Sequence, residues 1–230
     1  MLQIYKLLTI FFYPFLIIFT FIRKFFNKED NERYKEKLFP NHFAIDKNKE
    51  KKLFWFHAAS LGEAKSIIPL IKKIETSYEN IEILITTITL SSGKLMRQKF
   101  DSHKNIKHRY LPLDINFLIK KFLNGWQPSL ALFVDSEIWP NFLTLIKKKK
   151  IPLVLLNGRI TQKTFKRWSL IPKFAEKIFK KFDLCLVSNR ESKEYLEHFN
   201  VKNIKFLGNL KLTDSYISGR SKEFKKEIMS

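Results

Sequence analysis

The chain has 230 residues, 45% of them hydrophobic, enough for one sizeable core plus an appendage. Its 43 Lys and Arg against 22 Asp and Glu give a formal net charge of +21, which calls for an anionic membrane face, a phosphorylated lipid or a nucleic acid. No nucleic-acid motif or aromatic–basic platform accompanies that charge, and the single cysteine excludes an internal disulfide, in agreement with a reducing compartment.

Leu7 to Ile22 is apolar apart from Thr9, Pro14 and Thr20. Sixteen residues fall short of the ~20 of an upright spanning helix, and Pro14 is placed to kink it. Arg23, Lys24, Lys28, Arg33, Lys35 and Lys37 follow, an excess of positive charge that puts the downstream side in the cytoplasm. No small-residue cleavage site follows, so residues 1–26 read as a membrane anchor, spanning or lying in the interface, and 27–50 as a basic connector.

From residue 50 strand-like and helix-like segments alternate. The strands are expected at Leu53–Phe56, Ile81–Thr86, Ile106–Leu111, Leu130–Val134, Leu153–Leu156, Leu184–Val187 and Ile204–Leu207. The helices are expected at Ala64–Glu75, Ser92–Phe100, Ile115–Leu123, Asn141–Lys149, Ile171–Lys181 and Glu191–Phe199. This rhythm predicts an α/β fold, a mainly parallel sheet with helices on both faces. Pro69 is a misfit in the first of these helices, to be met by a kink or a late start. Cys185, in the run Leu184–Val187, reads as a buried small hydrophobe, and the histidines show no metal-ligand spacing. There is no G-x-G-x-x-G and no P-loop. Residues 213–230 are polar and charged, like the start of an interdomain connection.

Residues 53–63 carry the strongest functional signal. The apolar strand breaks at Ala58, Ala59 and Ser60, passes Gly62, and becomes a helix. Glu63 thus sits at the carboxyl edge of the sheet, where open α/β folds bind ligands. The helix dipole there favours an ionised carboxylate by roughly 0.3–1 kcal/mol, and such a carboxylate is a candidate general base. The plain alternative is an ordinary first-turn acidic residue. His57, beside it, reads as a satisfied structural histidine that ends the strand. Asp135 follows the buried run Leu130–Val134 to the same edge. Asp135 and Glu137, two apart, share one face, so a divalent metal is a geometric option.

His57-Ala-Ala-Ser-Leu-Gly-Glu-Ala64 resembles the signature of the 3-deoxy-D-manno-octulosonic-acid (Kdo) transferases. Thr86-Thr87-Ile88-Thr89 with Ser92-Gly93, Tyr110-Leu111-Pro112-Leu113-Asp114, Asp135-Ser136-Glu137-Ile138-Trp139-Pro140-Asn141, Asn157-Gly158-Arg159-Ile160 and Gly208-Asn209-Leu210-Lys211 recur in family order. The resemblance covers the amino-terminal half of such an enzyme and implies a Rossmann-like acceptor-binding domain of a GT-B glycosyltransferase over 51–212. It implies transfer of Kdo from CMP-Kdo to a lipid A precursor with inversion, at the cytoplasmic face of the inner membrane, and no cofactor. The donor-binding domain is then absent from these residues, and 213–230 begin the linker to it. Glu63 aligns with the proton acceptor, and Asp135 and Lys211 with transition-state stabilisers. Where this chain has Asp135 the family commonly has Glu, while Glu137 is retained. Ser60, Gly62, Glu137 and Arg159 are the further acceptor-cleft candidates. The Ile138-Trp139-Pro140 continuation matches this metal-free family, so no metal is expected. The alternatives are a non-catalytic membrane- and lipid-binding remnant, or one chain of a split enzyme.

Overall fold

The apolar runs pair side by side into one parallel sheet. The structure, a computed structural model, describes residues 1–208 and Leu210. Lys211 and the connection expected over 213–230 lie outside the described residues. The strands are β1 (Lys52–His57), β2 (Ile81–Thr87), β3 (Ile106–Tyr110), β4 (Leu130–Val134), β5 (Leu153–Gly158), β6 (Leu184–Val187) and β7 (Ile204–Phe206). Their order is β3-β2-β1-β4-β5-β6-β7, with every pairing parallel.

A strand buried on both faces must be apolar at successive positions. In β1, Leu53 and Trp55 enter one core, and Phe56 enters the other with half-buried Phe54 against it. The first core lies under α5 (Asn116–Trp126), α6 (Pro140–Lys148), α8 (Pro172–Phe179) and α9 (Arg190–His198). Trp55 is its centre, with ring centroids 5.2 Å from both Phe122 and Phe133. The second core lies under α3 (Leu61–Ser77) and α4 (Leu90–Phe100).

Two elements depart from expectation, and a third meets it. The helix α3 begins at Leu61, eight residues before Pro69, and runs through it to Ser77, so Pro69 does not delay the start. Only the bond to the carbonyl four residues back is lost, a cost that burial of Ile67 and Ile71 outweighs. A helix α7 (Gln162–Ser169) was not expected: it has no fully buried residue, and its core-facing stripe is only the half-buried pair Phe165 and Trp168, three apart. The apolar amino-terminal run is kinked as Pro14 led one to expect, into two helices, α1 (Leu2–Phe11) and α2 (Tyr13–Phe25), bent by 54°. Pro14 falls in the first turn of α2, where its missing N–H costs nothing.

Residues 27–50 pack as a strap over β3 and α4. Three buried carboxylates hold it down. Glu29 accepts from Arg23 at 2.6 Å and from Lys37. Asp30 pairs with Arg97 and accepts from Tyr110 Oη at 3.3 Å. Glu36 accepts from Arg33 Nε at 2.6 Å and from the Tyr110 backbone N–H at 2.8 Å.

Candidate active site

Strand order fixes the crevice. From β1 the chain winds outward through β2 and β3, then returns to β4 on the other side of β1. The carboxyl ends of β1 and β4 therefore flank a topological switch point, where such sheets bind ligands. The segment with Ser60 and Glu63 leaves β1, and that with Asp135 and Glu137 leaves β4.

Ser60 is the N-cap of α3 and Glu63 its third residue. The Glu63 backbone N–H donates to Ser60 Oγ at 3.4 Å, Ser60 Oγ donates to Glu63 Oε1 at 2.7 Å, and the Ala59 N–H donates to Oε2 at 2.8 Å. This is a capping box, and Ser-x-x-Glu before an apolar stripe is its readable signature, which the sequence reading passed over. The cap fixes the carboxylate but leaves lone pairs on both oxygens, since an ionised carboxylate offers about four acceptor positions.

The helix dipole does not decide the charge state of Glu63. Burial raises its proton affinity above the ordinary glutamate value, and the charges of Glu137 and Asp135 add to the rise. The hydrogen bonds from Ser60 and Ala59 oppose it without cancelling it. The sequence context had pointed the other way, toward a favoured ionised form. The correction comes from a strand 70 residues away, which brings two more carboxylates to the same edge.

Asp135 and Asn157, at the ends of β4 and β5, have positive φ values of 62° and 54°. Asp and Asn tolerate this region best among residues with a side chain, and such strain gathers at functional sites. The two turns are joined, with the Asp135 N–H donating to Leu156 O at 3.0 Å and the Arg159 N–H to Asp135 O at 3.3 Å. Arg159 extends from there into solvent. Asn157 Oδ1 accepts from the Leu210 N–H at 3.0 Å, so the segment leading to Lys211 reaches the carboxyl end of β5. Glu137 accepts from Trp139 Nε1 at 2.8 Å. Gly62 lies in the first turn of α3, and a Cβ built on it meets nothing within 4 Å. Glu63, Asp135 and Glu137 are thus brought together, and Ser60 caps the helix that carries Glu63. Among the described residues no three His, Cys, Asp or Glu side chains form a group able to hold a metal ion.

The family model described as 3-deoxy-D-manno-octulosonic-acid transferase (kdotransferase) matches residues 32–214. A relative named 3-deoxy-D-manno-octulosonic acid transferase, from Rickettsia bellii, is 31% identical over 98% of this chain and 53% of its own length. One of the same name from Haemophilus influenzae is 28% identical over 68% of this chain and 37% of its own. The chain therefore spans about half the length of the first of these, and less of the second. A solved UDP-GlcNAc 2-epimerase from Neisseria meningitidis, bound to UDP-GlcNAc, superposes on 77% of this chain and 52% of its own, with a TM-score of 0.50 at 17% identity. That likeness concerns the fold alone. With the family model spanning the whole sheet and the acidic edge of the switch point, the chain belongs to the Kdo transferase family of glycosyltransferases.

Proposed function

We propose that this chain is the acceptor-binding half of a Kdo transferase, which moves Kdo from CMP-Kdo to a lipid A precursor with inversion. The observation that carries the proposal is Glu63, held by its cap at the switch point with its proton affinity raised. In the reaction an acceptor hydroxyl oxygen attacks the anomeric carbon of Kdo as the bond to the CMP phosphate oxygen breaks. The hydroxyl proton passes to Glu63, and the phosphate leaves with the bonding pair. A carboxylate of raised proton affinity is the better base for that proton. Asp135 and Glu137 favour the positive charge spreading over the sugar ring, and Lys211 is assigned to the negative charge on the departing phosphate. The donor is held by a second domain facing this edge.

The acceptor is a lipid, and two features suit it. The outward faces of α1 and α2 expose Ile4, Leu7, Phe11, Phe15, Ile18 and Phe19. No single helix is long and apolar enough to cross a membrane, although the bent pair passes by length and composition. Four contacts tie the pair sideways to the domain: Tyr5 Oη to Asp114 at 2.8 Å, Asn141 Nδ2 to Thr9 Oγ1 at 3.2 Å, Tyr13 Oη to Leu38 O at 2.6 Å, and Arg23 to Glu29. Helices held this way lie in the interface of the cytoplasmic leaflet of the inner membrane. Beside the end of α2 a cavity of about 370 Å³ is lined by Arg23, Lys28, Thr89, Leu90, Ser91 and Lys94. The Ile88 and Thr89 N–H groups donate to Ala59 O, which places this cavity next to the loop that precedes Glu63. A phosphate of the acceptor headgroup fits between these cations.

Glu63→Gln, in the chain supplied with a donor domain, is expected to lower turnover by roughly 10²–10⁴-fold with lipid binding retained. Turnover within a few-fold of the unaltered protein would leave Glu63 with its capping role alone.

A further inference from the structure

His57 is fully buried at the end of β1, and the structure does not satisfy it as the sequence suggested. Its Nδ1 lies 3.0 Å from Thr86 Oγ1 and 3.2 Å from Thr86 O. Its Nε2 is buried without a hydrogen bond and faces Glu137 Oε2 at 3.4 Å. Which nitrogen carries the proton follows from the donors around it.

Trp55 Nε1 donates to Thr86 Oγ1 at 2.8 Å. An indole N–H is a donor only, so it takes a lone pair of the hydroxyl and leaves the hydroxyl hydrogen to be placed. Two acceptors are within reach, His57 Nδ1 at 3.0 Å and Phe56 O at 3.4 Å. The shorter contact takes it. Nδ1 is then the acceptor of the neutral ring and Nε2 carries the proton.

We infer that Trp55, Thr86 and His57 form a donor relay that fixes the Nε2–H tautomer of His57 and makes it the positioning residue for Glu137. The indole of Trp139 donates to the same Glu137 oxygen, so two N–H groups converge on it. The gap to Nε2 is a few tenths of an ångström longer than a made bond, as catalytic hydrogen bonds often are before substrate binds. The relay decides where the charge of Glu137 stands relative to Glu63, and this consequence rests on the proposed function. The tautomer does not rest on it.

The test is nitrogen NMR on the full chain, whose five histidines include His57. The expected spectrum shows His57 protonated at Nε2 and bare at Nδ1. Thr86→Val, nearly isosteric but without the hydroxyl, is expected to exchange the two nitrogen shifts, because Nδ1 then keeps only a backbone carbonyl to donate to. Thr86→Ser restores the original pattern. The Glu137 carboxyl resonance should move in Thr86→Val and return in Thr86→Ser. A His57 protonated at Nδ1, or at both nitrogens, in the unaltered chain overturns the relay, and this reading needs no variant to fold. A tautomer unchanged in Thr86→Val, or a Glu137 signal that ignores the exchange, overturns it equally. Catalytic failure with the expected tautomer would instead count against the proposed function.

Discussion

The Glu63 carboxylate caps α3 and is proposed as the base, and the neighbouring Gly62 offers a test that bears on each. A Cβ at position 62 meets no atom within 4 Å, so the missing side chain is not demanded by packing. In a helical turn glycine costs up to about 1 kcal/mol against alanine. Gly62→Ala is therefore expected to raise the thermal midpoint by a few degrees, and to weaken acceptor binding where this turn lines the proposed acceptor cleft. Thermal unfolding together with vesicle binding checks both halves, and unchanged binding would remove Gly62 from the cleft. At this scale the sequence was legible wherever one segment suffices: the strand end at His57, the turn, and the carboxylate in the first turn. The raised proton affinity of Glu63 was not legible, because Glu137 and Asp135 reach it through the pairing of β1 with β4. The unsatisfied Nε2 of His57 likewise depends on the register that sets it opposite Thr86.

Asp114, which closes one of the segments that resemble the family, acts on elements. Its carboxylate accepts from the Asn141 N–H at 3.1 Å and the Phe142 N–H at 2.8 Å, capping the first turn of α6 from outside that helix, and from Tyr5 of α1. Burial pushes its pKa from 3.8 up to about 6, against these three bonds. An acid raised on folding binds its proton more tightly in the folded state, so its contribution is fullest below pH 4 and is lost as pH rises through 6. From this group alone the chain loses roughly 2 kcal/mol between pH 4 and 8. In Asp114→Asn that slope should disappear, and at pH 5 the variant should be the less stable protein for loss of its acceptors. Denaturant unfolding at pH 5 and pH 8 reads both, and equal slopes in the two proteins would refute the assignment. The same side chain tethers α1, and deleting residues 1–26 should release the remainder into the soluble fraction at high salt. A full chain that stays soluble at low salt without lipid would refute the anchor. Buried apolar periods made the sheet and most helices readable. The bend between α1 and α2 was readable too, from Pro14, whereas α7 was not, since it buries no residue fully and sets only Phe165 and Trp168 against the core.

The charge of the whole molecule is not spread evenly in its effect. Glu29, Asp30 and Glu36 absorb Arg23, Lys37, Arg97 and Arg33 into the strap, and Lys147 is taken by Asp183 at 2.6 Å. Lys28 and Lys94 have no carboxylate partner among the described residues, and both line the cavity beside the apolar faces of α1 and α2. Lys148 and Lys149 end α6, so a pair of equal charge is available at the opposite edge of the sheet. Each lysine at an anionic surface contributes about 1 kcal/mol, so losing two that seat a phosphate corresponds to roughly 30-fold in affinity. Lys28→Ala with Lys94→Ala should therefore weaken binding by about that factor to phosphatidylcholine vesicles carrying a phosphorylated glucosamine lipid. The same variant should bind vesicles carrying the dephosphorylated lipid as the unaltered chain does. Lys148→Ala with Lys149→Ala should change either affinity less than about threefold, because those side chains end α6, away from the cavity that Lys28 and Lys94 line. Equal losses in the two double variants would mean that bulk charge alone draws the chain to the membrane, and that the cavity seats no phosphate.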